Sequence, residues 1–235
     1  MFGNNPIRKQ DLSSPSQLWV QEVFPTIQGE GPLAGTPAIF VRFGGCNLKC
    51  YWCDTDFESS TWHPHIDELI NAIIEAQEYC QTDLVVLTGG EPLRQNILPF
   101  MNELRRLNYR IQIETNGALW IDGIEPLMIS GKVTIICSPK TGKVHPKIEH
   151  YADAYKYIVS VLDHDREDGL PVMSTQRRDK RQRLARPPEG MPVYVQPLDA
   201  HDAEVTVNNE RHAIRMCKKH GYRLSYQLHK HLGLP

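Results

Sequence analysis

AIFVRFGGCNLKCYWCDTDF, residues Ala38 to Phe57, opens with a run fit for a buried strand and then places three cysteines within eight residues, at Cys46, Cys50 and Cys53. The β-branched and aromatic residues of Ala38–Phe43 stop at Gly44-Gly45, a pair that ends a strand. C-x3-C-x2-C on the following loop lets three thiolates converge on one site. Structural zinc sites close four positions and favour paired C-x2-C knuckles. No second pair exists here, because Cys80, Cys137 and Cys217 are scattered. A [4Fe-4S] cluster held by three thiolates departs from four-cysteine ligation and leaves one iron open. Spacing alone therefore favours an iron–sulfur site, with zinc and redox or core cysteines as alternatives.

Outward from this loop, further short runs read as strands: Asp83–Leu87, Arg110–Glu114, Lys132–Cys137, Tyr155–Val159, Pro192–Gln196 and Tyr222–Gln227. Helical periodicity lies between some of them. Ile66, Leu69, Ile70, Ile73 and Ile74 share one face, as do Ile97, Phe100, Met101 and Leu104, with Asn96 as the expected N-cap. Ala213, Ile214 and Cys217 mark a weaker third helix. Strands alternating with helices predict a mainly parallel α/β sheet. Three good helices are too few for a complete eightfold barrel. The expected fold is a partial, open (β/α) barrel with a curved sheet. In such sheets ligands gather at the carboxyl ends of the strands. The unusual polar motifs fall there: Gly44-Gly45-Cys46, Thr88-Gly89-Gly90-Glu91-Pro92, Thr115-Asn116-Gly117, Ser138-Pro139-Lys140 and Pro197-Leu198-Asp199.

Composition sets the wider frame. The chain of 235 residues is 40% apolar and 23% charged, suited to one domain with a substantial core. A net charge of −2 gives no reason to expect nucleic acid or membrane binding. No apolar run approaches a bilayer span, and residues 1–17, with Asn4, Asn5, Lys9, Gln10 and Asp11, lack a signal peptide's apolar stretch. That segment reads as a mobile leader on a cytoplasmic protein whose single domain covers residues 18–235. Residues 163–190 form a charged insertion carrying Arg177, Arg178, Lys180, Arg181, Arg183 and Arg186. Such a run is ordinarily solvated, although a surface for RNA or an acidic partner is the alternative.

Arg42 to Phe57 resembles the signature of the radical S-adenosylmethionine superfamily, C-x3-C-x-aromatic-C, with Trp52 as the aromatic. Thr88 to Pro92 resembles the second landmark of the same superfamily, a motif that elsewhere is a plain turn. More finely, the chain is similar to the 7-carboxy-7-deazaguanine synthase family from Gln21 to Pro235. The likeness is carried by FPTIQGEG (Phe24 to Gly31), Arg42, Cys53-Asp54-Thr55, IETNG (Ile113 to Gly117), Ser138-Pro139-Lys140, VQPLD (Val195 to Asp199) and the terminal QLHKHLGLP (Gln227 to Pro235). The family's usual Gln-Thr-His-Lys stands here as Gln227-Leu228-His229-Lys230, so a threonine hydroxyl is missing, and His231 has no assigned role.

The resemblance implies one [4Fe-4S] cluster on Cys46, Cys50 and Cys53, whose open iron chelates S-adenosylmethionine. Trp52, Cys53, Asp54, Gly90, Ser138, Pro139, Lys140, Gln196, Pro197, Leu198 and Asp199 would hold that cofactor. Ile27, Gln28, Gly29, Arg42, Thr88, His229 and Pro235 would bind substrate, and Thr55 would give its hydroxyl oxygen to Mg2+. The implied reaction contracts 6-carboxy-5,6,7,8-tetrahydropterin to 7-carboxy-7-deazaguanine with loss of ammonia, in 7-deazapurine (queuosine-type) biosynthesis. A flavodoxin-like electron donor and a homodimer are also implied. Plainer readings stand beside these roles: Arg42 as a salt-bridged strand residue, Gln28 as a turn cap, Asp54 and Thr55 as helix N-caps, His229 as a surface residue. A glycyl-radical activase and a zinc-stabilised binding module are the competing functions.

Overall fold

In the computed structural model, which describes residues 5–177 and 179–235, eight strands form one sheet. Asn4 and Arg178, named above, lie outside the described residues. The strands are β1 (Val20–Ile27), β2 (Pro37–Phe43), β3 (Leu84–Gly89), β4 (Arg110–Thr115), β5 (Val133–Cys137), β6 (Ala154–Val159), β7 (Val193–Pro197) and β8 (Arg223–Leu224). They lie side by side in chain order. β1 pairs antiparallel with β2, and every later neighbour is parallel. The order runs from edge to edge without closure, which is the open barrel the strand and helix pattern predicts.

The central strands turn apolar residues to the main core, while the other face is apolar on β3 but carries Arg110, Gln112 and Glu114 on β4 and Lys156 on β6. Val85, Leu87, Ile111 and Ile113 belong to the main core, while Ala38, Leu84 and Val86 form a smaller cluster on the other side. The helices are α1 (Ile66–Gln77), α2 (Leu98–Arg106), α3 (Glu125–Met128), α4 (Pro146–Tyr151), α5 (Ala203–His220) and α6 (Leu228–Leu232). Leu69 and Ile73 of α1 and Phe100, Met101 and Leu104 of α2 enter the main core. The apolar spacing that predicted these two helices is thus their buried face.

β1 has no counterpart among the predicted strands. Gln21, Glu22 and Pro25 hide its period, and only Val20 and Thr26 in it are fully buried. An edge strand tolerates polar residues, a proline and the irregularity between Val20 and Glu22, because one side needs no ladder. At the other edge the predicted strand Tyr222–Gln227 shrinks to two residues, since the chain turns into α6. The expected cap also moves: Ile97 is the N-cap of α2, and the Asn96 amide reaches the Leu12 carbonyl instead, at 3.5 Å.

Residues 5–17 are not free of the domain. The Arg8 amide donates to the Cys46 carbonyl at 2.7 Å, and the Gln10 amide donates to the carbonyls of Leu93 and Trp120 at 2.9 and 2.8 Å. The charged insertion is likewise less solvated than its composition predicts. Asp168 accepts from both Arg183 and Arg186, while Leu170, Val172, Ser174, Thr175 and Leu184 are buried. It contains no helix among its described residues.

On α5, His212 is buried, its Nε2 has no hydrogen-bond partner among the described residues, and its ring lies 4.5 Å from that of His164. Burial pushes the imidazole down to about 4, with His164 and Arg215 adding to the effect. An unfolded imidazole titrates at about 6.5. As pH falls from there towards 4, the unfolded chain gains a proton that the folded one refuses, so folding stability is lost. Thermal unfolding across this window should show that slope, and His212→Phe should flatten it; equal slopes would contradict the assignment.

Candidate active site at the carboxyl ends of the strands

The cysteine loop leaves β2 and is anchored before the first cysteine. The Gly44 amide donates to the Trp19 carbonyl at 3.0 Å, and Gly45, at φ 75°, donates to the Phe57 carbonyl at 2.8 Å. The end of β3 passes beneath it: Gly90 donates to the Phe43 carbonyl at 3.1 Å and Glu91 to the Gly45 carbonyl at 3.0 Å. A Cβ at Gly90 would sit 2.0 Å from the Gly45 oxygen, and Gly89 has φ 120°. The two glycines are thus required for backbone to lie against backbone. Gly90→Ala should push the cysteine loop off β3, lowering iron uptake severalfold and stability by about 1–3 kcal/mol. Iron and sulfide analysis of the reconstituted variant checks this, and full loading would contradict it.

Glu91 is fully buried, yet it accepts from Leu93, Asn116 and Thr115 at 3.1, 2.8 and 2.7 Å. It therefore ties β3 to the end of β4. Burial raises its carboxyl pKa, against the pull of those donors.

A cavity of ≈ 570 Å³ opens over these strand ends, and Cys46, Cys50 and Cys53 all line it. Burial pushes the Cys46 thiol up to about 12, with Glu91 adding to it, and the Cys53 thiol up to about 11. Such thiols hold their protons until a cation is supplied. The Leu48 amide points at the Cys46 sulfur at 3.4 Å, and the Gln176 side-chain amide points at the Cys50 sulfur at 3.2 Å. N–H donors aimed at sulfur suit the thiolates of an iron–sulfur cluster. Among the described residues no three His, Cys, Asp or Glu side chains converge to hold a single metal ion. The donor set, three thiols on one loop with N–H groups aimed at two of the sulfurs, fits a [4Fe-4S] cluster with one open iron.

On the same wall Lys140 donates to the carbonyl and hydroxyl of Ser138 at 2.8 and 2.5 Å, and its ammonium lies 5.8 Å from the centre of the Trp52 ring. Burial lowers the Lys140 pKa. Gly90, Asp54, Thr55, Thr88 and Gln196 also face the cavity. Pro139 and Leu198 line an adjoining cavity of ≈ 260 Å³, which shares Trp52 and Lys140 with the larger one. Pro197 is buried at the end of β7. Asp199 acts through Lys230, which donates to Asp199 at 3.0 Å and to Asp54 at 3.2 Å. This bridge fastens α6 across the cysteine loop. Burial would raise the Asp54 carboxyl, but Lys230 overrides it and holds the pKa below the ordinary value. No helix follows Asp54 and Thr55, so neither is an N-cap; the Thr55 hydroxyl donates to Asp54 at 3.2 Å.

The cavity is also lined by a buried ionic network. Lys156 contacts Glu30 closely and Glu114 at 3.1 Å. The Gln28 amide donates to Glu114 at 3.0 Å, Gln112 does the same at 2.9 Å, and Gln227 donates to Glu30 at 2.9 Å. Burial opposes charge on both ends, yet Glu114 and Glu30 raise the Lys156 pKa, and Lys156 lowers that of Glu30. Gln28 also accepts from the Glu30 amide, so its turn-capping role and its place in the wall coexist. Arg42 lines the cavity and donates to Glu22 at 2.6 Å, so the plainer reading of a salt-bridged strand residue holds. Ile27, His229 and Pro235 line the cavity too, and Thr26 donates to the Pro235 oxygen at 3.3 Å. Gly29 lies outside it; a Cβ there would meet His229 Nδ1 at 2.6 Å, so the glycine lets α6 close down. His231 stacks on Tyr226, ring centres 4.6 Å apart.

Glu30, Glu114, Lys156, Gln176 and Gln227 are site residues that the sequence reading did not single out. Lys156 carried a signal, a lysine inside the apolar run YKYIV. Gln176 carried none, because its position depends on a loop path.

The sequence model of the radical SAM superfamily matches residues 40–177, and the chain is a member of that superfamily. A curated 7-carboxy-7-deazaguanine synthase from Rhodospirillum rubrum is 47% identical over 239 residues, covering 100% of both chains. Another from Rickettsia prowazekii is 36% identical, covering 100% of this chain and 96% of its own. Within the superfamily, the chain belongs to the 7-carboxy-7-deazaguanine synthase family. The crystal structure of QueE from Escherichia coli shares the fold, with a TM-score of 0.64 at 24% identity over 90% of this chain and 94% of that one. Among the described residues no helix is long and apolar enough to cross a membrane.

Proposed function

We propose that this chain contracts 6-carboxy-5,6,7,8-tetrahydropterin to 7-carboxy-7-deazaguanine, releasing ammonia. The observation that carries the reading is that one ≈ 570 Å³ cavity is lined both by the three cysteines and by the Gln28–Glu114–Lys156–Glu30 network. When bound, a [4Fe-4S] cluster and S-adenosylmethionine supply one-electron cleavage and hydrogen-atom abstraction, chemistry beyond any side chain. Cys46, Cys50 and Cys53 would hold the cluster. Trp52, Asp54, Gly90, Ser138, Lys140 and Gln196 would hold the cofactor, as would Pro139 and Leu198 from the smaller cavity.

The rest falls to this chain's own groups. A pterin presents amide and amino N–H groups and a carbonyl along its pyrimidine edge. Glu114 and Gln28 offer acceptors and a donor matched to such an edge, and Lys156 holds Glu114 in place. Arg42, whose guanidinium offers parallel donors, would take the substrate carboxylate in exchange for Glu22. Thr88, Ile27, His229 and Pro235 would close the remaining sides and exclude water. The Thr55 hydroxyl oxygen would be the chain's ligand to Mg2+, an ion that keeps several waters and needs few protein ligands. A flavodoxin-like electron donor and a homodimer complete this reading as family expectations. A glycyl-radical activase would share the cysteine loop but have no use for the buried network.

Anaerobically reconstituted protein, given dithionite, S-adenosylmethionine and the carboxytetrahydropterin, should release the deazaguanine and ammonia in equal amounts. A protein with its full cluster that leaves the pterin unchanged would overturn the substrate assignment.

A further inference from the structure

The charged insertion comes to the cysteine loop by way of two adjacent residues. Gln176 Nε2 donates to the Cys50 sulfur at 3.2 Å and to Thr175 Oγ1 at 2.7 Å, while Gln176 Oε1 accepts from the Lys49 amide at 2.6 Å. The Thr175 carbonyl accepts from the Tyr51 amide at 3.0 Å, and the Thr175 hydroxyl donates to the Lys140 carbonyl at 2.9 Å. Thr175 is buried and Gln176 half-buried, so water does not replace these bonds freely. Backbone on both sides of Cys50 is thus gripped by the insertion, and one amide proton is aimed at its sulfur. The Cys46 sulfur receives its donor from the loop's own backbone at Leu48. The Cys50 sulfur takes its donor from a segment more than a hundred residues away in sequence.

We infer that Gln176 sets the reduction potential of the cluster through its hydrogen bond to the Cys50 sulfur, acting as a positioning residue and not a catalytic one. The inference rests on the reading of the three-cysteine loop as the cluster site. One-electron reduction adds negative charge that spreads onto the ligating sulfurs. An N–H donor on a sulfur therefore stabilises the reduced state more than the oxidised one, and hydrogen bonds to sulfur are a recognised control on cluster potential. A hydrogen bond to a charged acceptor is stronger than one to a neutral acceptor, and part of that strength differs between the two states. The electron affinity of the cluster should then fall about tenfold when the donor is removed, about 59 mV for a one-electron couple.

The test is an electron-paramagnetic-resonance-monitored redox titration of the reconstituted full-length protein, without pterin. Gln176→Leu keeps the bulk and deletes the donor; Gln176→Glu replaces the amide with a carboxylate; Gln176→Asn withdraws the amide but keeps it polar. Leu and Glu should lower the midpoint by about tenfold in the equilibrium with a reference dye, Glu at least as much as Leu, and Asn by less. Each should still bind about four irons per chain. An unchanged midpoint in fully loaded Gln176→Leu and Gln176→Glu would overturn the inference. If the leucine variant fails to load, the glutamate and asparagine variants decide by the same criterion. Failure of the wild-type chain itself to take up a cluster would refute the cysteine-loop reading instead, so the two failures are distinguishable.

Discussion

Cys50→Ala should give a folded protein that takes up no [4Fe-4S] cluster and turns over no pterin. The thiol stands on a loop and is only partly buried, outside the hydrophobic core, so its loss leaves no large cavity. The loop keeps its path through bonds that do not involve the sulfur: Gly44 to Trp19, Gly45 to Phe57 and Tyr51 to Thr175. The far-ultraviolet circular dichroism and melting temperature should therefore match the parent. Two remaining thiolates hold too few corners of the cluster, so iron and acid-labile sulfide should fall to background. Product formation should fall below detection, because no residue substitutes for one-electron chemistry. Retained iron with retained turnover would move the ligand role to another cysteine. Cys80, Cys137 and Cys217 are poor candidates, being outside the cavity that holds the other three.

The second large effect is expected at Lys156. Lys156→Met preserves length and apolar bulk but leaves Glu30 and Glu114 facing each other across a buried space without a counter-charge. Breaking a buried ionic network by removing one partner costs about 3–5 kcal/mol. The pH dependence gives the cause. Without the lysine, the burial that Lys156 now offsets raises the folded-state pKa of the Glu30 carboxyl above the unfolded value. The folded chain then binds protons that the unfolded chain does not, so the variant should regain stability as pH falls. The parent should show no such recovery from this site. Urea denaturation at several pH values measures both. Adding Glu30→Gln should restore part of the loss by removing one unpaired charge, whereas an additive loss would contradict the network. Pterin affinity should drop at least tenfold in the single variant, since the lysine no longer holds Glu114 in place.

Much of the frame was legible because its physics is local. Val41 and Phe43 alternate on the core face before a Gly-Gly stop, and three cysteines follow on one loop; neither pattern needs the fold to be understood. Leu69 and Ile73, or Phe100 and Leu104, mark their helices by period alone. β1 was hidden because an edge strand can carry Gln21, Glu22 and Pro25 without cost to a core. The N-cap of α2 shifted from Asn96 to Ile97 because the Asn96 side chain found a partner in residues 5–17, a tertiary contact that no local rule supplies. The leader looked mobile for the same reason: Arg8 and Gln10 are polar, and their partners at Cys46, Leu93 and Trp120 lie far along the chain. Within the site, many residues carried by motifs line the cavity, although Gly29, Pro197 and Asp199 do not, while Glu30, Glu114 and Lys156 gain meaning only when β4 and β6 and the segment after β1 bring them together. Charge runs mislead similarly; Arg183 and Arg186 are held by Asp168 and are not a free basic patch.

The glycines at the end of β3 illustrate how one residue answers to two demands. Gly90 faces the cavity, yet its contact with the Gly45 carbonyl would exclude a side chain even if no ligand ever bound. Positioning of the cysteines and access to them are therefore the same structural fact. Lys230 plays a comparable part from the other end of the chain, since its bridge between Asp54 and Asp199 holds α6 over the loop that carries the thiols.

Mössbauer spectroscopy of protein reconstituted with the Mössbauer-active iron isotope, with and without S-adenosylmethionine, addresses the vacant iron corner most directly. One of the four irons should change its isomer shift and quadrupole splitting on adding the cofactor, while the three bound by Cys46, Cys50 and Cys53 stay as they were. Four irons with identical sulfur-type parameters that ignore the cofactor would mean a closed cluster, and the account would be wrong.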